Sequence, residues 1–125
     1  MNWIDSNHFD VTKIAEEVGM GFDTLKAPVA ITKEVWLTCV EWTDDDSERQ
    51  DYQEQDARLW DVVFTCGGTL QIKIAEFSKA GRHNYNIECV PRDGRSINAV
   101  TVHLTARPQP LGSTTWLIID LAGSS

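Results

Sequence analysis

The hydrophobic pattern of this chain changes period once, near residue 68, and that change restricts the fold more than any other feature. Before it, apolar residues recur at helical spacing. Val11, Ile14, Ala15 and Val18 sit at i, i+3, i+4 and i+7, with Asp10 or Thr12 placed to cap and Gly19 to end the turn, which predicts a helix over 10–19. Thr32 suits an N-cap, Glu34 complements the helix dipole, and Trp36, Cys39 and Val40 form a stripe, so a second helix is expected over about 33–42. The charged run Asp44-Asp45-Asp46-Ser47-Glu48 reads as its break. A third helix is expected from Gln50 to Cys66, with Leu59, Trp60, Val63 and Phe64 on one face and Gly67-Gly68 as the stop.

After residue 68 the apolar residues alternate. Leu70, Ile72 and Ile74, then Tyr85, Ile87 and Cys89, then Val100, Val102 and Leu104 each read as a half-buried strand. Ser78-Lys79-Ala80-Gly81 and Pro91-Arg92-Asp93-Gly94-Arg95 read as turns. Pro108-Gln109-Pro110 reads as a rigid loop, and Trp116 to Leu121 as a strand covered on both faces. Pro28 to Ile31 is a brief extended piece, and residues 1–9 read as a flexible arm. The expectation is an α+β chain of one domain, 1–125, with three N-terminal helices packed on one face of a C-terminal four-stranded antiparallel sheet.

With 125 residues the chain is long enough to bury roughly two-thirds of its unfolded surface without staples. Its formal charge of -8 disfavours direct nucleic-acid binding, which needs a basic surface to displace counterions. No apolar run approaches the ~20 residues that cross a bilayer, and Met1-Asn2-Trp3-Ile4-Asp5 lacks a secretory pattern, so a cytoplasmic protein with no membrane contact is expected. Cys39, Cys66 and Cys89 are odd in number and far apart, which fits small, reduced, buried thiols. Neither they nor His8, His83 and His103 fall at zinc-ligand spacing, so no metal or other cofactor is expected.

The charge is concentrated. Residues 41–61 hold nine acids against Arg49 and Arg58, leaving seven surplus negative charges in 21 residues, whereas residues 73–107 hold six bases against three acids. Asp44 to Glu48 reads most simply as a solvated, solubilising loop. Calcium is poorly matched, because the sixth and twelfth positions of an EF-hand counted from Asp44 are Arg49 and Gln55 rather than glycine and glutamate. A third reading is a partner-binding face, with Asp44, Asp45, Asp46, Glu48, Asp51, Glu54 and Asp56 steering onto a basic surface and Trp42 or Tyr52 as the desolvated anchor.

Catalytic patterns are missing: the chain has no phosphate-cradling glycine loop and no G-x-S-x-G elbow, so a non-enzymatic protein is expected. Cys89 and His103 belong to opposite phases of their strands and should face apart. Arg82 and His83, with Arg92 and Arg95, form the one alternative cluster, an anion-binding corner suited to a small ligand such as a nucleotide signal.

Val29-Ala30-Ile31-Thr32, Val35-Trp36, Cys39-Val40 and Trp42, with Asp10-Val11-Thr12 upstream and Arg58-Leu59-Trp60-Asp61-Val62 downstream, resemble an uncharacterised family of short proteins found mainly on plasmids, phages and other mobile elements. The resemblance covers roughly residues 8–92 and brings no catalytic residues with it. It implies a small accessory protein of a mobile element in a bacterial cytoplasm. Joined to the acidic segment, it leads to the expectation of a stoichiometric inhibitor, of the anti-CRISPR or antirestriction type, that occupies the basic site of a host protein or ribonucleoprotein defence complex. A maintenance protein acting through self-association is the third option.

Overall fold

The structure, a computed structural model, describes residues 3–25, 27–70 and 82–123. A five-stranded mixed sheet in the order β1-β2-β5-β4-β3 forms its centre. The strands are β1 (His8–Asp10), β2 (Val29–Thr32), β3 (His83–Cys89), β4 (Val100–Leu111) and β5 (Thr114–Leu121). The α+β class stands, but the expected four-stranded antiparallel sheet does not. β2 pairs parallel to β5, with Ile31 opposite Ile119, and β1 adds an antiparallel edge beyond it. Val29-Ala30-Ile31-Thr32 is buried at every position, as a strand covered on both faces must be. Four residues are too few to separate such a strand from any short apolar run.

The arm expected at residues 1–9 is docked in its described part. Trp3 forms an isolated bridge to Phe9, and its ring meets Phe9 edge-on at 5.2 Å and Trp36 at 5.7 Å. Pro108 and Pro110 lie inside β4 rather than in a loop, opposite Leu117 and Thr115. β4 pairs with β3 only as far as Ala106. Two residues apart, the prolines turn their missing N–H groups to the same side of the strand, where no partner strand lies among the described residues. That is the edge position at which proline costs no ladder bond.

Helix α1 (Thr12–Val18) follows the expected stripe and ends at Gly19 with φ +68°. Asp10 accepts from the Thr12 amide at 2.9 Å. A short α2 (Gly21–Leu25) follows. Thr32 caps α3 (Lys33–Val35), which continues as a π-helical turn over Trp36–Val40, closed by the Glu41 amide on the Trp36 carbonyl at 2.8 Å. The acidic run expected to be a break is itself a helix, α4 (Asp44–Arg49), because Thr43 and Asp46 form a reciprocal capping box. Helix α5 (Gln55–Thr69) begins later than expected and runs through Gly67-Gly68. The sequence-predicted strand over 70–74 and the turn at 78–81 lie, apart from Leu70, outside the described residues.

One face of the sheet, carrying Ile31, Tyr85, Ile87, Leu104, Ala106, Leu117 and Ile119, packs against Ala15, Val35, Cys39, Val62, Val63 and Cys66 from α1, α3, the π turn and α5. On the other face Asp120 accepts from the Thr32 hydroxyl at 3.0 Å and pairs with Arg107 at 3.8 Å, while the neighbouring Thr105 Oγ1 and Arg107 Nε are buried without a hydrogen-bond partner among the described residues. Among the described residues no helix is long and apolar enough to cross a membrane.

Gly67 is needed for proximity: a Cβ there meets Phe22 at 2.7 Å and Val18 at 2.9 Å, whereas one on Gly68 meets nothing nearer than 3.9 Å. Gly67→Ala is therefore expected to cost about 1–3 kcal/mol by overpacking. Gly68→Ala is expected to be neutral or to stabilise by about 0.5–1 kcal/mol through helix propensity. Urea unfolding of the two variants checks the contrast.

Candidate functional site

Arg58 stands on the buried face of α5, in phase with Leu59, Val62, Val63 and Cys66, and is only 6% exposed. A buried charge must be bonded. Its Nε donates to the Val40 carbonyl at 3.1 Å, and its Nη1 donates to Gln53 Oε1 at 2.8 Å and to the Val90 carbonyl at 3.2 Å. Its planar head stacks on Trp42 at 4.5 Å. Burial lowers its pKa from the usual arginine value, with the neighbouring cysteines and Asp46 acting in the opposite direction. Nη2 has no hydrogen-bond partner among the described residues.

Trp42 is consequently not the surface anchor expected of it. It is 5% exposed, and its indole N–H donates to Ser47 Oγ at 3.1 Å. Asp46 is also withdrawn from the acidic face, at 7% exposure. Burial opposes its charge, but the Thr43 amide, Arg92 and the Thr43 hydroxyl together hold its pKa below the ordinary value. Arg92 reaches Asp46 Oδ2 and Glu41 Oε2, each at 2.5 Å.

Arg92 is thereby spent internally, and the anion-binding corner fails on a second count. Arg82 and His83 lie at the start of β3, while Arg92 and Arg95 follow its end, roughly 20 Å away along an extended strand. His83 bonds Thr69 Oγ1 at 2.8 Å, and burial lowers its pKa, which favours the neutral ring. The Arg95 amide donates to Asp93, in a turn whose bonds from Ser96 hold the Asp93 carboxyl down to about 2. His103 and Cys89 face apart as expected, His103 bonding Asn86 Oδ1 at 2.6 Å instead.

The remaining acids are exposed: Asp44, Asp45 and Glu48 on α4, Asp51 and Glu54 in the loop, and Asp56 in the first turn of α5. Asp45 pairs with Arg49 at 3.2 Å. Asp44, Tyr52, Glu54 and Asp56 line one shallow groove of about 430 Å³ floored by Trp42. Tyr52 is 70% exposed, and its hydroxyl donates to Glu54 at 2.9 Å, which with the charge of Asp44 raises its pKa. On the other side of Tyr52 and Glu54 a second hollow of about 460 Å³ is lined by Cys39, Arg58, Asp61, Ile87, Glu88 and Cys89 among others. Tyr52 and Glu54 thus form a ridge between two hollows, both edged with carboxylates.

Cys39 and Cys89 both line the second hollow. The neighbouring Cys39 and then the charge of Arg58 bring the Cys89 thiol down to about 7 against the cost of burial, and the neighbouring Cys89 and burial push Cys39 up. Sequence reasoning did not single out this pair or Arg58. The available signal was an arginine in phase with an apolar helical stripe.

No family model, curated protein or solved structure matches the chain, so its functional reading rests on this geometry.

The box at Thr43 and Asp46 carries a pH signature. A carboxyl whose folded-state pKa lies below the free value of 3.8 stabilises in full above about pH 4, and loses that contribution as pH falls through the folded-state value. Asp46→Asn is expected to cost about 2 kcal/mol at neutral pH. The gap from the native chain should close below about pH 4. Urea unfolding across that range checks it, and a gap independent of pH contradicts it.

Proposed function

We propose that this protein is a non-enzymatic docking protein whose acidic face binds the basic, nucleic-acid-binding surface of another macromolecule. The observation that carries the reading is the groove in which Asp44, Glu54 and Asp56 surround the exposed Tyr52. Three carboxylates with no cationic partner among the described residues supply long-range attraction, and the tyrosine that lines the groove with them supplies contact area at small entropic cost. Glu48 and Asp51 extend the negative field, and Asp61 and Glu88 continue it past Tyr52 around the second hollow.

A surplus of carboxylates held on helices is suited to occupying a site that otherwise holds phosphates. The partner class is therefore a lysine- and arginine-rich protein or ribonucleoprotein. In the cytoplasmic, mobile-element setting that the sequence resemblance suggests, a host defence complex of the CRISPR or restriction type is the foremost example. The mechanism is steric: the protein and the nucleic acid exclude one another from a single basic surface. Neither direct nucleic-acid binding nor catalysis is part of this reading.

The test is a pull-down from host lysate with the native chain as bait, followed by titration of the captured partner with native and substituted protein. Combined Asp44→Lys, Glu54→Lys and Asp56→Lys should weaken binding at least tenfold at low ionic strength, with the difference narrowing as salt screens the charges. Tyr52→Ala should raise the dissociation rate. Duplex DNA or guide RNA should compete with the native chain. Unchanged affinity for the charge-reversed protein contradicts the reading.

A further inference from the structure

The three cysteines occupy different surroundings. Cys66 is fully buried inside α5, and burial pushes its thiol up to about 12. Cys39 and Cys89 come from distant parts of the chain, the π turn and the last residue of β3, and both line the 460 Å³ hollow. Cys39 is fully buried and Cys89 is 9% exposed.

One guanidinium fixes both cysteines. Arg58 donates to the carbonyls of Val40 and Val90, the residues that immediately follow Cys39 and Cys89. The two thiol-bearing segments are therefore clamped to a single planar group, and both cysteines line the one hollow beside it. Nη2 of that group has no hydrogen-bond partner among the described residues. The charged groups around the hollow are Arg58, Glu54, Asp61 and Glu88, and of these only Arg58 favours a thiolate.

We propose that Cys39 and Cys89 form a peroxide-sensitive redox pair, in which Cys89 reacts first and Cys39 closes a disulfide upon it. The Cys89 thiolate attacks one oxygen of hydrogen peroxide. The O–O bond breaks, hydroxide leaves and takes up a proton as water, and Cys89 becomes a sulfenic acid. The Cys39 sulfur then attacks the Cys89 sulfur. The S–O bond breaks, the departing hydroxyl leaves as water with the proton of Cys39, and the S–S bond forms. Two thiols lose two electrons in all, and one peroxide is reduced to two waters. Arg58 acts as a positioning residue: its charge stabilises the thiolate, and its clamp on Val40 and Val90 keeps the resolving thiol close. The pair lies beside the ridge of Tyr52 and Glu54, but its chemistry does not depend on the docking reading.

The reduced, folded chain is treated with dilute hydrogen peroxide and analysed as the intact protein and by peptide mapping without reductant. The expected result is a loss of two hydrogens per chain and a crosslinked peptide joining Cys39 to Cys89. Dithiothreitol should reverse it, and Cys66→Ala should retain it. In Cys39→Ser the expected product is a sulfenic acid on Cys89, trapped by dimedone. A crosslink that uses Cys66, a disulfide only between chains, or oxidation of Cys89 to sulfinic acid with Cys39 left as a thiol overturns the proposal. The map of the native chain decides these outcomes even if Cys39→Ser fails to fold.

Discussion

A single guanidinium is inserted where four separate segments meet, and the surrounding structure depends on how it is satisfied. Arg58 holds the end of the π turn through Val40, the exit of β3 through Val90, the loop ahead of α5 through Gln53, and the indole of Trp42 through its face. An arginine this deeply buried is tolerated only because its planar fork meets fixed acceptors. The carbonyl bonds also satisfy backbone groups that the π turn and the strand exit leave without ladder partners. The same group is the floor of one hollow and, through Trp42, supports the floor of the other.

The acidic surplus divides into two populations with different physical roles. Asp46, with Glu41, is consumed by Arg92 and fastens α4 to the segment after β3. Gln50 strengthens that joint, its amide donating to the carbonyls of Pro91 and Ser96 at 2.7 and 2.6 Å. Asp44, Glu54 and Asp56 are left facing solvent around Tyr52. Fastening α4 at its first turn fixes the helix that carries Asp44, so the neutralised Asp46 supports the display of its exposed neighbour.

The sequence showed the parts of this arrangement that repeat and concealed the parts that depend on long-range pairing. The helix over Thr12–Val18 and the strand over His83–Cys89 were legible because their apolar residues keep one period on one face. Helix α4 was misread as a break because the charge of Asp44 to Glu48 hid a capping box whose two members are themselves polar. Gly67-Gly68 was misread as a stop because a close approach by Phe22 and Val18, invisible locally, is what requires glycine there. The parallel place of β2 beside β5 was illegible, since nothing in four apolar residues names a partner so far along the chain. At the site, the cluster of acids was legible as composition. That Asp46 and Trp42 turn inward, that Arg92 is taken up by carboxylates, and that Cys39 and Cys89 line one hollow all depend on contacts between distant segments.

The arrangement around Arg58 is tested most directly by urea unfolding of Arg58→Lys and Arg58→Met beside the native chain. Lysine keeps the charge but not the fork, and methionine keeps the apolar stem but orphans the carbonyls of Val40 and Val90. Both variants are expected to be less stable by roughly 2–4 kcal/mol, with little change in the denaturant slope. An Arg58→Met protein as stable as the native chain would contradict the central place given to the guanidinium.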